Sequence, residues 1–473
     1  MFPIESTGLY TDHYELTMAQ GYFLSNRHEQ KACFDYFFRK IPYGGGYVVF
    51  SGLSSFLELL KDFHYTDEDC QYLLKIGFQE DFVNYLRHFS FKGNIYSVRE
   101  GEIIFPAEPV LHVEGNIFET QLIETMLLNI LNFESLIATK ASRCRLAAGN
   151  RLLLEFGLRR AQGLGGINAS KAAIQGGFDQ TSNVYSAAAF GLKSSGTMAH
   201  SWIQSFGDEL EAFRAYARFF PDACTLLVDT YDTLKSGIPN AITVAYELMN
   251  SGHRLIGIRL DSGDLTYLSR KAREMLDQAG LQEVKIVVSN QLDEHIIESL
   301  LTQGAPIDVF GVGTSLATGK SDAAMDGVYK LSEIDGHPTI KLSDNIGKMT
   351  LPGIKSLHRY TDANNKFVAD GISLAIESGL QQIYHPIESQ KHYLLAGLHQ
   401  EDLQKIIVQD GHPVKQPESP EIISAYVQER LQQLPEGHKR FLYPHVYKVG
   451  ISKKLMHMRD KLIVQYRGKG LPQ

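Results

Sequence analysis

The first feature of the sequence that could do chemistry is a short charged segment. Residues 259–264 read Arg-Leu-Asp-Ser-Gly-Asp and follow directly on an apolar run. Arg259 can hold a carboxylate or a phosphate in a bidentate fork. Asp261 and Asp264 can bind ribose hydroxyls or Mg²⁺, which takes carboxylates together with substrate phosphates. The same residues could instead form an internal ion pair that only braces the loop.

A histidine in a second polar segment is a candidate nucleophile or base. His200 follows the small and hydroxylated residues 194–199, Ser-Ser-Gly-Thr-Met-Ala, and does not belong to a helical core pattern. A neutral imidazole is a nucleophile towards phosphorus and a general base near pH 7. Most histidines serve neither role, so a structural histidine stays the alternative. The absence of a second His or Cys at metal-ligand spacing disfavours zinc.

Two further segments could bind an anion. Gly311 and Gly313 follow an apolar run and precede Thr314, so their backbone N–H groups can approach a phosphate closely. A plain tight turn explains the same glycines. Phe156 followed by Arg159 offers an aromatic face and a cation. A packed ring beside a solvated arginine is the alternative there.

The elements that must position these residues are predicted from apolar runs. Such runs begin at Leu226, Leu255, Val284 and Asp308, 24 to 29 residues apart, with helical patterns between them. This spacing is typical of βα units in a parallel sheet. The runs end at four polar or glycine sites: Asp229, Arg259 with Asp261, Ser289, and Gly311 with Gly313. Because functional groups of a βα barrel collect at the carboxyl ends of its strands, we expect one shared site, although each residue alone could be a loop starter.

The two ends of the chain read differently from the middle. Residues 1–125 contain an alternating aromatic run at Cys33 to Phe38 and a glycine turn, which predict a mixed α/β domain with antiparallel strands. We expect the barrel over residues 126–354. From residue 355 the chain is more polar, and we expect residues 355–473 to pack back on the first domain.

Composition excludes several classes of protein. The 473 residues are 44% hydrophobic and 21% charged, and the net charge is −8. That balance gives no support for coating nucleic acid or an anionic membrane. The four cysteines include no CxxC pair, which favours free thiols in a reducing cytosol. No signal peptide is evident, and we expect the apolar stretch from Met126 to Ala138 to be a buried helix rather than a membrane span.

Seven motifs in a fixed order resemble those of a known enzyme family. They are TDHYELTM from Thr11, FDYFFRKIP from Phe34, EFGLRRAQG from Glu155, SSGTMAHS from Ser194, IRLDSGDL from Ile258, VSNQLDE from Val288 and FGVGTSLAT from Phe310. The chain resembles nicotinate phosphoribosyltransferases from residue 11 to about 330, again over residues 341–353, and in the tail.

The resemblance implies a fold and a reaction. The expected fold is α/β, an incomplete barrel with a flanking α/β sandwich domain built from the N- and C-terminal segments. The expected reaction joins nicotinate to 5-phosphoribosyl-1-diphosphate and gives nicotinate mononucleotide and diphosphate, in NAD salvage in the cytoplasm. It implies Mg²⁺, ATP as a co-substrate, and a homodimer with shared active sites.

The resemblance also implies roles for individual residues. His200 would be phosphorylated by ATP, and the phosphohistidine would organise diphosphate departure and improve substrate affinity. Asp229 and Asp261 would act beside it, and these two with Asp264 are candidates for ribose and Mg²⁺ contacts. Tyr14 and Arg39 would reach the site from the neighbouring subunit. The expected substrate-binding residues are Tyr14, Arg39, Phe156, Arg159, Thr197, Arg259, Asp264, Ser289, Gly311, Gly313 and Thr314, with Lys140, Lys341 and Lys348 as weaker candidates for diphosphate or ATP.

Two rival functions remain open on the sequence. A nicotinamide phosphoribosyltransferase would share the fold and the chemistry. Residues 194–196, Ser-Ser-Gly, offer hydroxyls and no carboxylate, which favours an anionic ring substituent over a neutral amide. The second rival is a non-catalytic metabolite-binding barrel, which would have little need for a histidine near strand-end carboxylates.

Overall fold

The structure, a computed structural model, describes residues 7–343, 350–388 and 390–468, which form two compact units. The middle unit is Ile137–Ala323. The terminal unit contains the described residues up to Leu136 and from Ala324 onward. The expected barrel domain, residues 126–354, is longer than the middle unit at both ends, and the division into three domains stays a prediction.

An open sheet of parallel strands, of the half-barrel kind, forms the middle unit. Among the described residues it has six strands in the order β2-β1-β6-β5-β4-β3, and every neighbouring pair is parallel. The strands are β1 Leu152–Glu155, β2 Gln180–Thr181, β3 Thr225–Leu227, β4 Gly257–Leu260, β5 Lys285–Val288 and β6 Val309–Val312.

The four apolar runs of the sequence are four of these strands. They form β3, β4, β5 and β6, and almost all their side chains are buried, as in parallel sheets covered on both faces. Asp293 caps the helix Glu294–Thr302 and accepts hydrogen bonds from the backbone N–H groups of His295 and Ile296 at 3.1 and 2.9 Å. The α-helices of this unit are Gly165–Gln175, Val184–Phe190, His200–Phe206, Glu209–Phe219, Ile238–Asn250, Leu265–Gln278, Glu294–Thr302 and Thr314–Ala317, with a 3₁₀ turn at Leu158–Arg160 and a π-helical turn at Thr233–Gly237.

The terminal unit is built on mixed sheets. The predicted aromatic strand is Lys31–Phe38, and it pairs antiparallel with two neighbours, which confirms that expectation. In the described residues one seven-stranded sheet has the order His337–Pro338, Gly327–Ile334, Lys31–Phe38, Leu111–Asn116, Asn94–Ser97, Lys405–Gln409, His412–Pro413. A six-stranded sheet has the order His392–Leu394, Gln382–Tyr384, Val449–Ile451, Phe367–Leu374, Lys355–Thr361, His399–Asp402, and Val48–Val49 pairs with Ile103–Ile104.

Helices cover these sheets and close one large apolar core. Phe34, Phe82, Phe118 and Leu455 belong to that core, so residues from both ends of the chain are buried in it. The apolar stretch from Met126 lies in the helix Glu124–Ala148 and is buried, as predicted. The other helices are His13–Leu24, Leu53–Lys61, Asp67–Lys75, Glu80–Arg87, Ile117–Leu122, Pro420–Gln433, Glu436–Lys439 and Lys453–Gly468, with a 3₁₀ turn at Pro42–Gly44.

Across the residues that the structure describes, no helix combines the length and the apolar character that a bilayer span needs. The mixed α/β class expected from the sequence is therefore present in two units.

A buried charge cluster joins distant segments of the terminal unit. Arg359 donates to Glu102 and, through Nη2, to Asp370 at 2.6 Å, and Arg430 donates to the same Glu102 at 2.8 Å. Glu108 lies beside Asp370 and is fully buried. Burial and the adjacent Asp370 raise the pKa of Glu108 well above its ordinary value. Glu108 Oε1 accepts from no donor among the described residues, and a proton on the Glu108 carboxyl would let it donate to the neighbouring Asp370 carboxylate.

The Glu108→Gln variant should remove a pH dependence of stability. Glu108 has a raised pKa in the folded protein, so the folded state holds the proton more tightly than the unfolded state does. The stability of the wild type should therefore fall as pH rises from about 4.3 to the folded pKa, with a limiting slope of about 1.4 kcal/mol per pH unit from this group. The glutamine side chain would keep the shape and a donor without titrating.

The measurement is urea unfolding of both proteins from pH 4.5 to 8.5. We expect the free energy of unfolding of Glu108→Gln to gain on that of the wild type as pH rises. Parallel curves for the two proteins would contradict a protonated Glu108. Glu418→Gln, which alters an exposed carboxylate paired with Arg99, is the control.

Candidate active site

Polar residues from several strands meet at the carboxyl-terminal edge of the parallel sheet. Arg259 lies in β4, Asp261 follows it, Asp229 follows β3 and Ser289 follows β5. The parallel pairing sets Arg259 opposite Leu227 of β3 and Val287 of β5, so the ends of these strands are level. The sequence-based expectation of one shared site at strand ends matches this placement.

The Arg259 guanidinium is held on three sides. Its Nε–H donates to the Ser289 hydroxyl at 2.9 Å, and Nη1 donates to the Thr197 hydroxyl at 3.0 Å. Nη2 lies 3.3 Å from Asp261 Oδ1. The side chain is only 11% exposed, and its guanidinium carbon lies 5.5 Å from the centre of the Phe156 ring. A cation and an aromatic face are thus presented together.

The Asp229 carboxylate binds the segment that follows β4. Asp229 Oδ2 accepts the backbone N–H of Asp261 at 2.8 Å and the Ser262 hydroxyl at 2.7 Å. Its other oxygen, Oδ1, is buried and has no donor within hydrogen-bond distance in the described part of the chain. An acceptor in that state is free for a cation or a hydroxyl from a ligand.

His200 joins the same group of residues. Its Nδ1 lies 3.0 Å from the Thr230 hydroxyl, and its Nε2 lies 3.9 Å from Asp261 Oδ2. The imidazole is 38% exposed, so a ligand can reach it. The structure therefore brings His200 close to the charged residues that follow β4, as the sequence-based hypothesis requires.

Phe156 explains the glycines of the last strand. A Cβ on Gly311 would lie 2.6 Å from two carbons of the Phe156 ring, and a Cβ on Gly313 would lie 3.0 Å from the Phe156 carbonyl oxygen. Only glycine allows this close approach. The two glycines thus have a packing role beside the phosphate-binding role expected from the sequence.

Three of the expected substrate ligands lie outside the Arg259 network. Asp264 caps the helix Leu265–Gln278 by accepting the backbone N–H of Tyr267 at 3.0 Å, and it is exposed. Arg159 is exposed in its 3₁₀ turn, and Thr314 is exposed at the start of a short helix. The capping bond gives Asp264 a local structural role that its sequence position alone did not reveal.

Two residues of this edge escaped the sequence analysis. Thr230 holds the His200 ring, and its signal was its place directly after Asp229. Glu155, at the end of β1, is 1% exposed and accepts hydrogen bonds from the Gly157 N–H and from the Ser170 and Thr181 hydroxyls. A carboxylate at the end of an apolar strand is the signal that would have found it.

The turn after Asp229 is also sterically constrained. Asp232 accepts the backbone N–H groups of Leu234 and Lys235 at 3.1 and 2.9 Å and starts the π-helical turn. Gly237 ends that turn against the Val228 carbonyl oxygen, with which a Cβ would overlap. Gly237 therefore packs tightly against the backbone that immediately precedes Asp229. π-Helical turns of this kind are frequent at functional sites.

Comparison with known proteins identifies the family. The model of the nicotinate phosphoribosyltransferase (NAPRTase) family matches residues 152–370, and those of its N-terminal and C-terminal domains match residues 9–132 and 354–459. The nicotinate phosphoribosyltransferase of Bacillus subtilis is 45% identical over 467 residues, 96% of this chain and 94% of that one. The chain belongs to the nicotinate phosphoribosyltransferase family.

Two further relatives agree with this assignment. The nicotinate phosphoribosyltransferase of Dictyostelium discoideum is 38% identical and is matched over 95% of this chain and 87% of its own length. A crystal structure of human nicotinic acid phosphoribosyltransferase superposes with a TM-score of 0.86 at 32% identity, over 96% of this chain and 100% of that chain. The resemblance inferred from the seven motifs is confirmed, and the chain is an enzyme of this family.

The motif residues Tyr14 and Arg39 of this nicotinate phosphoribosyltransferase family member lie in the terminal unit. Tyr14 is 46% exposed on the helix His13–Leu24. Its neighbour Glu15 is buried, and burial raises the pKa of Glu15 to about 7. Arg39 lies 3.8 Å from Asp326, and its Nε is buried with no acceptor among the described residues.

The lysines named as weaker ligand candidates have different surroundings. Lys140 is buried in the middle unit, with its Nζ 2.7 Å from Glu294, so its charge is already paired. Lys341 is exposed in the terminal unit. Lys348 lies outside the described residues.

The Gly311→Ala variant should expose the tight contact with Phe156. The added methyl would overlap the ring, and overpacking of this kind costs about 1–3 kcal/mol of folding free energy. The same substitution in a Phe156→Ala background should cost much less, because the ring carbons would be gone. Chemical denaturation of the four proteins gives the coupling energy. An equal cost of Gly311→Ala in both backgrounds would show that the contact is absent.

Proposed function

We propose that this chain joins nicotinate to 5-phosphoribosyl-1-diphosphate and releases nicotinate mononucleotide and diphosphate, as a step of NAD salvage. Membership of the nicotinate phosphoribosyltransferase family supports the reaction class. The observation that carries the proposal is the meeting of Arg259, Asp229, Asp261 and His200 at one sheet edge.

The proposed chemistry suits these groups. Ribosyl transfer develops positive charge on the sugar while diphosphate leaves, so the site must hold anions and keep carboxylates near the sugar. Arg259 and the Phe156 ring lie together and offer a cation and an aromatic face to a ring that carries a carboxylate. Donors that are fixed before the reaction stabilise developing charge without reorganisation. We assign nicotinate to this pair.

The surroundings of Asp229 fit a magnesium ion. Mg²⁺ is usually bound by one or two carboxylates together with substrate phosphates. In the described ranges no group of three or more His, Cys, Asp or Glu side chains could hold a metal by itself, so substrate oxygens would complete the shell. We assign Asp229, through its unpaired Oδ1, and Asp261 to this role. When bound, Mg²⁺ would neutralise charge on the departing diphosphate.

We further propose that ATP phosphorylates His200. The γ-phosphoryl group would pass to an imidazole nitrogen with release of ADP, and hydrolysis would later return free His200 and phosphate. The exposed imidazole next to Asp261 supports this assignment. The Thr230 hydroxyl would hold the ring in place at Nδ1 throughout. Arg159, Asp264, Gly311, Gly313 and Thr314 are assigned to the phosphates and ribose on the family resemblance.

The choice of nicotinate over nicotinamide rests on the segment before His200. Residues 194–196 offer hydroxyls and no carboxylate, and a Cβ on Gly196 would meet open space. A carboxylate at this place would repel an anionic substrate. The non-catalytic rival function is disfavoured because the chain belongs to an enzyme family.

The fold and assembly follow the same proposal. We propose that the middle unit is an incomplete α/β barrel flanked by an α/β sandwich of the terminal segments, and that two copies form a dimer with shared sites. The exposed Tyr14 ring and the unsatisfied Arg39 Nε support a second copy as their partner. The four buried free cysteines support a reducing cytoplasm.

A product assay tests the reaction. The purified chain, 5-phosphoribosyl-1-diphosphate and Mg²⁺ should convert nicotinate to its mononucleotide, faster with ATP, and should convert nicotinamide far more slowly. Chromatography of the nucleotides gives both rates. A preference for nicotinamide would establish the rival transferase, and no mononucleotide from either substrate would refute the proposed function.

The His200→Ala variant should lose ATP coupling and keep a slower ATP-independent reaction. Without the imidazole no phosphoryl group can be accepted, while Arg259 and the carboxylates remain. The measurement is the ratio of ADP to mononucleotide formed. His253→Ala, which removes a histidine paired with Asp222, is the control and should keep the wild-type ratio. An unchanged ratio in His200→Ala would exclude His200 as the acceptor.

Complementation between two inactive variants tests the shared dimer. Tyr14→Ala and Arg259→Ala should each be nearly inactive alone. Co-expressed, they should recover about a quarter of wild-type activity, since half of the dimers would be mixed and each mixed dimer would hold one intact site. Activity no greater than that of the separate variants would refute shared sites. Co-expression of Arg259→Ala with Asp229→Ala is the control, because both residues lie in the middle unit and a mixed dimer would hold no intact site.

A further inference from the structure

Ser289 occupies a central place in the site that its expected role as a substrate ligand does not explain. The residue follows β5 and is 3% exposed. Its hydroxyl accepts the Nε–H of Arg259 at 2.9 Å and donates its only proton to Asp261 Oδ1. A hydroxyl has one donor, so none is left for a substrate. Ser289 therefore acts between two protein groups.

One partner of Ser289 lies at the proposed nicotinate site and the other faces the histidine that is proposed to be phosphorylated. Arg259 is the cation that we assign to nicotinate. Asp261 faces the imidazole of His200, with Oδ2 3.9 Å from Nε2. The chain of contacts runs from His200 through Asp261 and Ser289 to Arg259, and every member lies in the middle unit. A second contact, between Arg259 Nη2 and Asp261 at 3.3 Å, runs parallel to it.

We propose that Ser289 is a positioning residue that couples the phosphorylation state of His200 to the affinity for nicotinate. This inference rests on the proposed function and adds to it the route of the coupling. A phosphoryl group on His200 brings negative charge close to the Asp261 carboxylate, and like charges at a few ångströms repel each other strongly in a partly buried site. Asp261 then shifts or changes its hydrogen bonds.

Ser289 transmits this change because its hydroxyl is shared. When Asp261 Oδ1 moves, the Ser289 proton must follow it or find another acceptor, and the hydrogen bond that Ser289 accepts from Arg259 changes with it. Thr197 contacts a different nitrogen, Nη1, and is not bonded to Ser289 or Asp261, so its hydrogen bond is the same in both states of His200. Arg259 can then turn a donor towards the nicotinate carboxylate. By linkage, bound nicotinate favours the phosphorylated state by the same factor.

The experiment measures the KM for nicotinate with and without ATP. In the wild type ATP should lower this KM, and the ratio of the two values reports the coupling. In Ser289→Ala we expect the ratio to fall by about threefold or more, because the hydroxyl route is lost and only the direct Arg259–Asp261 contact remains. A wild-type ratio in a folded Ser289→Ala variant overturns the proposal.

Four further variants distinguish coupling from a purely structural role of Ser289. Ser289→Thr keeps the hydroxyl and should keep the ratio. If Ser289→Ala does not fold, the comparison of Ser289→Thr with Ser289→Val takes its place. Thr197→Val removes the other hydroxyl on Arg259 and should raise KM equally with and without ATP. A reduced ratio in Thr197→Val overturns the assigned route. Ser269→Ala, which removes a buried hydroxyl that donates to the Thr266 carbonyl, is the matched control.

The outcomes distinguish this inference from the proposed function. A wild type that makes no mononucleotide refutes both. A wild type that makes mononucleotide at a KM independent of ATP leaves the reaction standing and refutes the coupling. A wild type with an ATP-dependent KM and a Ser289→Ala variant without it supports the coupling.

Discussion

The ion pair between Arg259 and Asp261 is the contact on which the edge of the sheet depends. A guanidinium that is 11% exposed would lose several kcal/mol of hydration free energy without a partner. The hydroxyls of Ser289 and Thr197 accept hydrogen bonds from the Nε and Nη1 of Arg259, which Asp261 does not contact. Asp261 in turn is tied through its backbone N–H to Asp229. Arg259 thus connects the ends of β3, β4 and β5, and His200 faces the carboxylate of Asp261 in this network.

The strands of the middle unit could be predicted because parallel strands are continuous apolar runs. β4 and β5 needed only small changes of their limits. β2 has only two residues and no apolar run, so its sequence did not predict a strand. The pairing of Lys405–Gln409 with Asn94–Ser97 was equally beyond local patterns, because it joins segments about 310 residues apart in a shared apolar core.

The site could be predicted at the level of which segments meet, and not at the level of which atoms pair. The strand-end rule placed Arg259, Asp261 and Asp229 together. Thr230 as the partner of His200, and Asp264 as a helix cap, depend on side-chain rotamers and on the exact first residue of a helix. The need for glycine at position 311 depends on the ring of Phe156, which follows β1, and no spacing in the sequence predicts that contact.

The buried carboxyl of Glu108 has a consequence for the heat of folding. Arg359 pairs with Glu102 and Asp370, and Arg430 pairs with Glu102 and Glu401, so both guanidinium charges are already neutralised and the neighbouring Glu108 carboxyl keeps its proton. At any pH between the pKa of Glu108 in the unfolded chain and its raised pKa in the folded chain, folding takes up a proton from the solution. The buffer must supply that proton, and its ionisation enthalpy then becomes part of the calorimetric enthalpy. Measured in phosphate and in Tris, the same transition would release different amounts of heat.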